Sequence, residues 1–200
     1  VHQALRVADA SIIVIDARNG VEVGTELAWD NATAAKIPKT FFINKFDDPE
    51  ARFTKLFGEL REKFGHTVVP LFLPMRVDGI IKGFLNLIDM KAVTYDNKGN
   101  ATLGEIPEAF KDVAEQYKTM LYESIAETSE ELMDKYFAEE PITREEAVEA
   151  LHNGIIDGTI VPVVCGSSKD LWSIDELLGI IADSFPRHTA KAYEKLIDSD

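Results

Sequence analysis

The sequence predicts an α/β protein whose parallel sheet has helices on both faces and is interrupted by an α+β insertion. Three observations carry this prediction. Helical patterns and apolar strand-like runs alternate through the first third of the chain. Near Thr67 the pattern changes to several strands followed by several helices, and the alternation resumes at Thr159. Such alternation is typical of a parallel sheet, whereas strands followed by helices form a separate α+β unit.

The first elements predict adjacent parallel strands. A short helix ends near Val7, the strand Ser11-Ile12-Ile13-Val14-Ile15-Asp16 follows, and residues 22–36 have a helical pattern. Residues 39–44 form a second strand that is nearly all apolar. A strand of this kind is buried on both faces, as in a sheet covered by helices.

A further helix follows this strand. Asp48 is predicted as its N-cap, with Pro49 at the first helical position, and Gly65 ends it. One apolar stripe at helical spacing is expected to face the core: Phe53, Leu56, Phe57, Leu60 and Phe64.

Residues 67–158 are predicted to form the insertion. Residues 68–74, 83–88 and 91–95 are expected to form an antiparallel meander. Three helices should follow, and two of them carry the capping signatures Thr128-x-x-Glu131 and Thr143-x-x-Glu146.

Residues 1–66 and 159–186 are therefore predicted to be two parts of one α/β domain. In the second part, the strand Thr159-Ile160-Val161-Pro162-Val163-Val164-Cys165 precedes a helix with the signature Ser173-x-x-Glu176. Residues 187–200 are predicted to be a linker.

The chain is strongly acidic, with a formal net charge of −14, and the charge is unevenly distributed. Residues 67–158 contain 18 acidic and 8 basic residues, a net of −10. This charge disfavours extensive contact with nucleic acid phosphates, which bind chiefly Lys and Arg. Two interpretations stay open: solvated helix faces, or a surface that docks a basic protein partner.

Membrane and metal functions are not indicated. Apolar runs reach only about five residues, far below the roughly 20 needed to span a bilayer. The single cysteine, Cys165, has no partner for an internal disulfide, and no signal peptide opens the sequence, so we expect a cytoplasmic protein. The four histidines are scattered without metal-ligand spacing, and Cys165 is predicted to be a small buried apolar residue.

The motif Asn44-Lys45-Phe46-Asp47, directly after a predicted buried strand, indicates guanine recognition. A carboxylate at Asp47 can accept hydrogen bonds from both N1–H and the 2-amino group of guanine, and adenine offers no such pair. A site built this way discriminates by roughly 10⁴-fold or more, because the wrong base leaves buried polar groups unsatisfied. A turn at the strand end without any ligand is the simpler alternative.

A second motif, Cys165-Gly166-Ser167-Ser168-Lys169, follows another predicted buried strand. Ligands of open parallel sheets bind outside the carboxyl ends of the strands. We therefore expect both loops to meet at one edge and to surround one purine.

These residues resemble the guanine-recognition motifs of translational GTPases, and the similarity to elongation factor G covers nearly the whole chain. The resemblance implies a partial G domain of the P-loop NTPase type with an inserted subdomain. Further segments that resemble this family are Ala4-Leu5-Arg6-Val7-Ala8-Asp9, Val14-Ile15-Asp16-Ala17, Asn19-Gly20-Val21-Glu22, Val69-Pro70-Leu71 and Ile160-Val161-Pro162-Val163.

The resemblance also implies roles for six residues. Asp47 binds the guanine edge, Asn44 braces the two loops, and the stem of Lys45 lies against the base. Ser167 supports its loop, Ser168 offers its backbone N–H to guanine O6, and Lys169 covers the other face of the base. Phe46 and Ser168 replace the family's usual Met and Ala, and the segment after Asp47 also differs, which points to a divergent paralogue.

The ligand implied is GTP or GDP, with Mg²⁺ in a complete protein. The 200 residues contain no Gly-x-x-x-x-Gly-Lys-Ser/Thr motif for phosphates and Mg²⁺. Asp96-Asn97-Lys98-Gly99 fits the Asp-x-x-Gly magnesium motif formally, but it is predicted to be a hairpin turn. We therefore expect a fragment that does not hydrolyse GTP alone.

The implied partners are the ribosome and, through the acidic insertion, the ribosomal stalk protein. A ribosomal protection protein or a release factor of the same superfamily is an alternative, and an acidic interaction module without a nucleotide role is another. The strand Ile12-Ile13-Val14-Ile15 is expected to have an unpaired edge through which copies of the chain associate.

Overall fold

The computed structural model describes residues 2–96 and 98–186, so the predicted linker at 187–200 lies outside the described residues. The helices are α1 (His2–Leu5), α2 (Val23–Ala34), α3 (Phe53–Phe64), α4 (Glu108–Ala126), α5 (Glu130–Phe137), α6 (Arg144–Asp157) and α7 (Ile174–Ser184). The strands are β1 (Ser11–Asp16), β2 (Lys39–Asn44), β3 (Val68–Pro70), β4 (Phe72–Val77), β5 (Ile80–Asn86), β6 (Lys91–Tyr95), β7 (Ala101–Gly104) and β8 (Val161–Cys165).

A four-stranded parallel sheet confirms the predicted α/β fold class. Its order is β1-β2-β8-β3, so the first and last α/β segments of the sequence build one sheet. Strand β8 is buried along its whole length, and β2 is buried except at Asn44, as expected for strands covered on both faces. Asp16 at the end of β1 lies opposite Asn44 at the end of β2.

A second, antiparallel sheet has the order β4-β5-β6-β7 and corrects part of the predicted meander. Residues 68–74 are not one strand of this sheet, because β3 pairs with β8 in the parallel sheet and only β4 enters the antiparallel one. Leu71 lies between them, donating its N–H to the Val163 carbonyl and accepting a hydrogen bond from the Leu87 N–H. The two sheets thus diverge at a single residue.

Several predicted helix starts also differ. Helix α3 has Arg52 as its N-cap, while Asp48 accepts a hydrogen bond from the Glu50 N–H in a preceding turn. Helix α5 is capped by Ser129, not Thr128, because the Ser129 hydroxyl accepts from the Leu132 N–H. The capping box of Thr143 and Glu146 forms as predicted, and Gly65 ends α3 as predicted.

One hydrophobic core runs across both sheets. At one side of the parallel sheet, Trp29 stacks on Phe41 at 5.6 Å between ring centroids, and Phe64 packs against both. Cys165 is fully buried and donates its thiol to the Phe72 carbonyl at 3.2 Å, which confirms its predicted structural character. Burial raises the pKa of this thiol well above its ordinary value.

Among the described residues, no helix has the length and apolar character needed to cross a membrane.

Candidate functional site

The two predicted recognition loops lie at one edge of the parallel sheet. They follow β2 and β8, which are adjacent and parallel, with Ile43 opposite Cys165. Backbone pairing continues beyond the strands: the Gly166 N–H donates to the Ile43 carbonyl at 2.9 Å, and the Phe46 N–H donates to the Gly166 carbonyl at 3.0 Å. The structure therefore brings all six predicted site residues into two adjoining loops.

Asn44 joins the loops through its side chain. Its Oδ1 accepts from the backbone N–H of Ser168 at 2.9 Å and from that of Lys45 at 2.8 Å. Its Nδ2 donates to the Ser168 hydroxyl at 3.0 Å. The Ser168 N–H, which the resemblance assigns to guanine O6, is thus bonded to Asn44 in this structure. Asn44 uses both the donor and the acceptor capacity of its amide to hold the loops.

Lys45 extends back toward β1. Its backbone is left-handed, with φ of 69°, and its Nζ lies 2.6 Å from Asp16 Oδ2. This hydrogen bond lowers the pKa of Asp16 and raises that of the Lys45 ammonium, so both groups are charged at neutral pH. The Lys45 stem is held across the loop by this ion pair.

Asp16 holds the Lys45 side chain, and the sequence analysis did not identify it. It ends β1 directly opposite Asn44, and its other oxygen accepts from the Arg18 N–H at 2.9 Å. The signal was present in the sequence, because an acidic residue at the carboxyl end of a strand in a parallel sheet lies at the edge where ligands bind.

Asp47 is held by the second loop. The Ser167 hydroxyl donates to Asp47 Oδ1 at 2.7 Å, and Lys169 Nζ lies 3.3 Å from Oδ2. Burial of the carboxyl group works to raise its pKa, but these hydrogen bonds outweigh burial, and the pKa of Asp47 lies below its ordinary value. The side chain stays 21% exposed, so a ligand can reach it. A carboxylate has about four acceptor positions, so Asp47 retains acceptor capacity beyond the bonds to Ser167 and Lys169.

The second loop is a compact turn. Ser167 and Trp172 exchange two backbone hydrogen bonds, at 3.1 and 2.9 Å, and Ser167 is completely buried. Gly166 has no space for a side chain, because a Cβ there would lie 2.2 Å from the Trp172 carbonyl oxygen. This packing fixes the hydroxyl that donates to Asp47.

Phe46 points away from the loops into the core. It is 1% exposed, and its ring lies 6.3 Å from Phe84 of β5 and 6.4 Å from Phe53 of α3. Phe46 thus packs the first loop against the inserted sheet and helix α3.

The Asp-x-x-Gly match at Asp96 lies in the turn between β6 and β7. Asp96 accepts from the N–H groups of Lys98 and Asn100, at 2.7 and 2.9 Å, and Gly99 has φ of 82°. The carboxylate stabilises the turn itself. In the part of the chain that the structure describes, no group of three or more His, Cys, Asp or Glu side chains is arranged to hold a metal ion.

Comparisons with known proteins identify the family and a similar fold. The family model of the elongation factor Tu GTP binding domain matches residues 1–187. The crystal structure of ttk003000868 from Thermus thermophilus has a TM-score of 0.86 and 29% sequence identity over 95% of this chain. The match covers 28% of that chain, so the present sequence spans less than a third of its length. The chain belongs to the elongation factor Tu GTP binding domain family, whose members are translational GTPases of the elongation factor Tu and elongation factor G type.

Proposed function

We propose that this chain is the guanine-recognising part of a G domain resembling that of elongation factor G. The observation that carries the proposal is the Asp47 carboxylate, which is ionised, accessible, and held in place by Ser167 and Lys169. Two adjacent acceptors match the N1–H and 2-amino donors of guanine. Adenine would leave both unsatisfied.

The other site residues support the base from three sides. The Lys45 stem, held by Asp16, lies against one face of the ring, and Lys169, whose side chain is 76% exposed, covers the other. Guanine O6 competes with Asn44 Oδ1 for the Ser168 N–H. Asn44 keeps the loops together through its bond to the Ser168 hydroxyl while this exchange occurs.

We expect the chain alone to bind GDP or GTP only in the millimolar range and not to hydrolyse GTP. The sequence has no motif to cradle phosphates or to place Mg²⁺, and a few exposed hydrogen bonds must offset the entropy of association. Isothermal titration of about 50 μM chain with GDP should give no measurable heat of tight binding. A micromolar dissociation constant, or release of phosphate from GTP, would overturn this part of the proposal.

For the whole protein we propose a GTPase that acts on the ribosome, moving tRNA and mRNA as elongation factor G does. Ribosomal protection and release-factor activity are the alternatives within the same superfamily. A complete protein would supply the residues that bind the phosphates and Mg²⁺.

The acidic subdomain at residues 67–158 is proposed to dock the ribosomal stalk protein. Its net charge of −10 favours a basic partner. Binding to isolated stalk protein should weaken as NaCl rises from about 50 to 300 mM, because screening reduces attraction between exposed charges. No binding, or an affinity that does not change with NaCl concentration, would contradict this role.

We also propose that the chain self-associates through β1. In the described part of the chain, this strand is at an edge of the parallel sheet, and Val14 on it is 60% exposed. An unpaired apolar edge without Pro invites pairing with another copy. Sedimentation velocity should show a dimer fraction that rises with concentration and that Val14→Lys abolishes. A wild-type chain that stays monomeric at about 0.5 mM would refute the idea.

A further inference from the structure

The inserted antiparallel sheet contacts both recognition loops, and the guanidinium group of Arg76 makes the first contact. Arg76 Nη2 lies 3.1 Å from the Asp48 carbonyl oxygen and 3.4 Å from that of Phe46. Its Nη1 lies 3.2 Å from the Pro49 carbonyl oxygen and 2.6 Å from that of Gly79 in its own hairpin. The planar guanidinium group of Arg76 thus donates hydrogen bonds to backbone carbonyls on both sides of Asp47.

A register irregularity lies beside Arg76. Met75 pairs with Gly83 and Arg76 pairs with Ile81, so Lys82 of β5 has no partner on β4. Irregularities of this kind are common beside binding sites.

Tyr95, at the end of β6, makes the second contact. Its hydroxyl accepts from the Ser173 N–H at 3.0 Å and donates to Glu176 Oε1 at 2.9 Å. Burial raises the pKa of Tyr95 well above its ordinary value, so the hydroxyl stays protonated. This also explains why Ser173 and Glu176 do not form the predicted capping box, since Tyr95 occupies the start of α7.

The two contacts converge on one carboxylate. Ser173 follows Trp172, which exchanges backbone hydrogen bonds with Ser167, and Ser167 donates to Asp47. Arg76 fixes the residues before and after Asp47 from the other side. Moving either contact would displace Asp47 relative to its donors.

We propose that Arg76 and Tyr95 are positioning residues that set guanine selectivity from the inserted sheet. The inference rests on the proposed function, because it assigns these residues to the same base site. Arg76 holds the Asp47 loop, and Tyr95 holds the loop that presents Ser167. Neither residue touches the base. A displacement of Asp47 by a fraction of an ångström is enough to weaken a two-point hydrogen bond. We therefore expect the variants to lose affinity chiefly through the guanine donors that Asp47 binds.

The test compares GDP with inosine diphosphate, which lacks only the 2-amino group. The ratio of the initial slopes of amide chemical-shift change for the two ligands, compared between variants, reports a change in preference without saturation. We expect the preference for GDP to fall about threefold in Arg76→Ala and about twofold in Tyr95→Phe, as one of two hydrogen bonds becomes poorly aligned. Arg76→Lys should recover only part of the preference, because an ammonium lacks the planar fork.

Two matched controls lose similar contacts elsewhere in the insertion. Arg144→Ala removes an Nε contact of 2.6 Å to Asp89, and Tyr136→Phe removes a hydroxyl contact of 3.3 Å to Glu123. Both should keep the wild-type preference. Tyr95→Phe deletes one oxygen only, so it remains informative if Arg76→Ala fails to fold.

The outcomes separate the two proposals. If Arg76→Ala and Tyr95→Phe both keep the wild-type preference for GDP, the positioning role is overturned and the guanine site is left intact. This holds whether or not the midpoint of urea unfolding falls in these variants. Equal losses in the control variants overturn it as well. A wild-type chain that does not distinguish GDP from inosine diphosphate refutes the proposed function itself, and the positioning role with it.

Discussion

Replacing Asp47 by Asn should reverse the base preference of this chain from guanine to xanthine. The Asn amide cannot accept from both N1–H and the 2-amino group, but it can accept one bond and donate another to the C2 carbonyl that xanthine carries instead. Hydrogen bonds to a charged group contribute about 1.5–3 kcal/mol, so relative affinity for GDP should fall about tenfold or more. Titration with GDP and xanthosine diphosphate, followed by amide chemical shifts, measures the change.

Asp112→Asn is the matched control for this substitution. It removes the same charge from an exposed position on α4, in the insertion. Its GDP and xanthosine diphosphate slopes should equal those of the wild type. If Asp47→Asn also left the two slopes unchanged, Asp47 would not contact the base, and the guanine assignment would be wrong.

Phe84→Ala should be the most destabilising of the substitutions considered. Phe84 is completely buried in β5, and its ring lies 6.3 Å from Phe46, 6.1 Å from Tyr95 and 6.3 Å from Trp172. It therefore connects the inserted sheet to both recognition loops. Removing a buried phenylalanine ring typically costs about 3–5 kcal/mol, because transfer energy is lost and a cavity remains. Urea unfolding measures the free energy of unfolding.

The control is the same substitution at Phe137, which is 77% exposed. We expect Phe137→Ala to change the free energy of unfolding by less than about 0.5 kcal/mol. Phe84→Leu should lower the free energy of unfolding by about 1–2 kcal/mol, and it replaces Phe84→Ala in the comparison if that variant is too unstable to purify. Equal losses at the two phenylalanines would mean that Phe84 does not connect the sheets as described.

The parallel sheet and the recognition loops could be predicted because their signals are local. Strand β8 is an apolar run, β2 has an apolar run at residues 41–43, and each run is followed at once by a polar motif. Such a run indicates a strand buried on both faces, and the carboxyl ends of parallel strands share an edge. The meeting of Asn44 with Ser168 follows from that topology.

The division between the two sheets could not be predicted in this way. Residues 68–74 contain only Val, Leu, Phe and Pro, and this composition does not say which sheet the segment joins. The boundary at Leu71 depends on hydrogen bonds with Val163 and Leu87, which lie far away or in another hairpin. The bonds of Arg76 to the Asp47 loop also join distant segments and leave no local pattern in the sequence.

Titration with guanosine and adenosine, neither of which carries phosphate, tests the central claim most directly. A base site without a phosphate cradle should bind guanosine about as well as GDP, within about threefold, and should not bind adenosine. Guanosine should shift the amides of Asn44, Lys45, Asp47, Ser167, Ser168 and Lys169, and those of α5 and α6 should stay unchanged. Equal shifts with adenosine, or shifts outside the two loops, would contradict guanine recognition at this site.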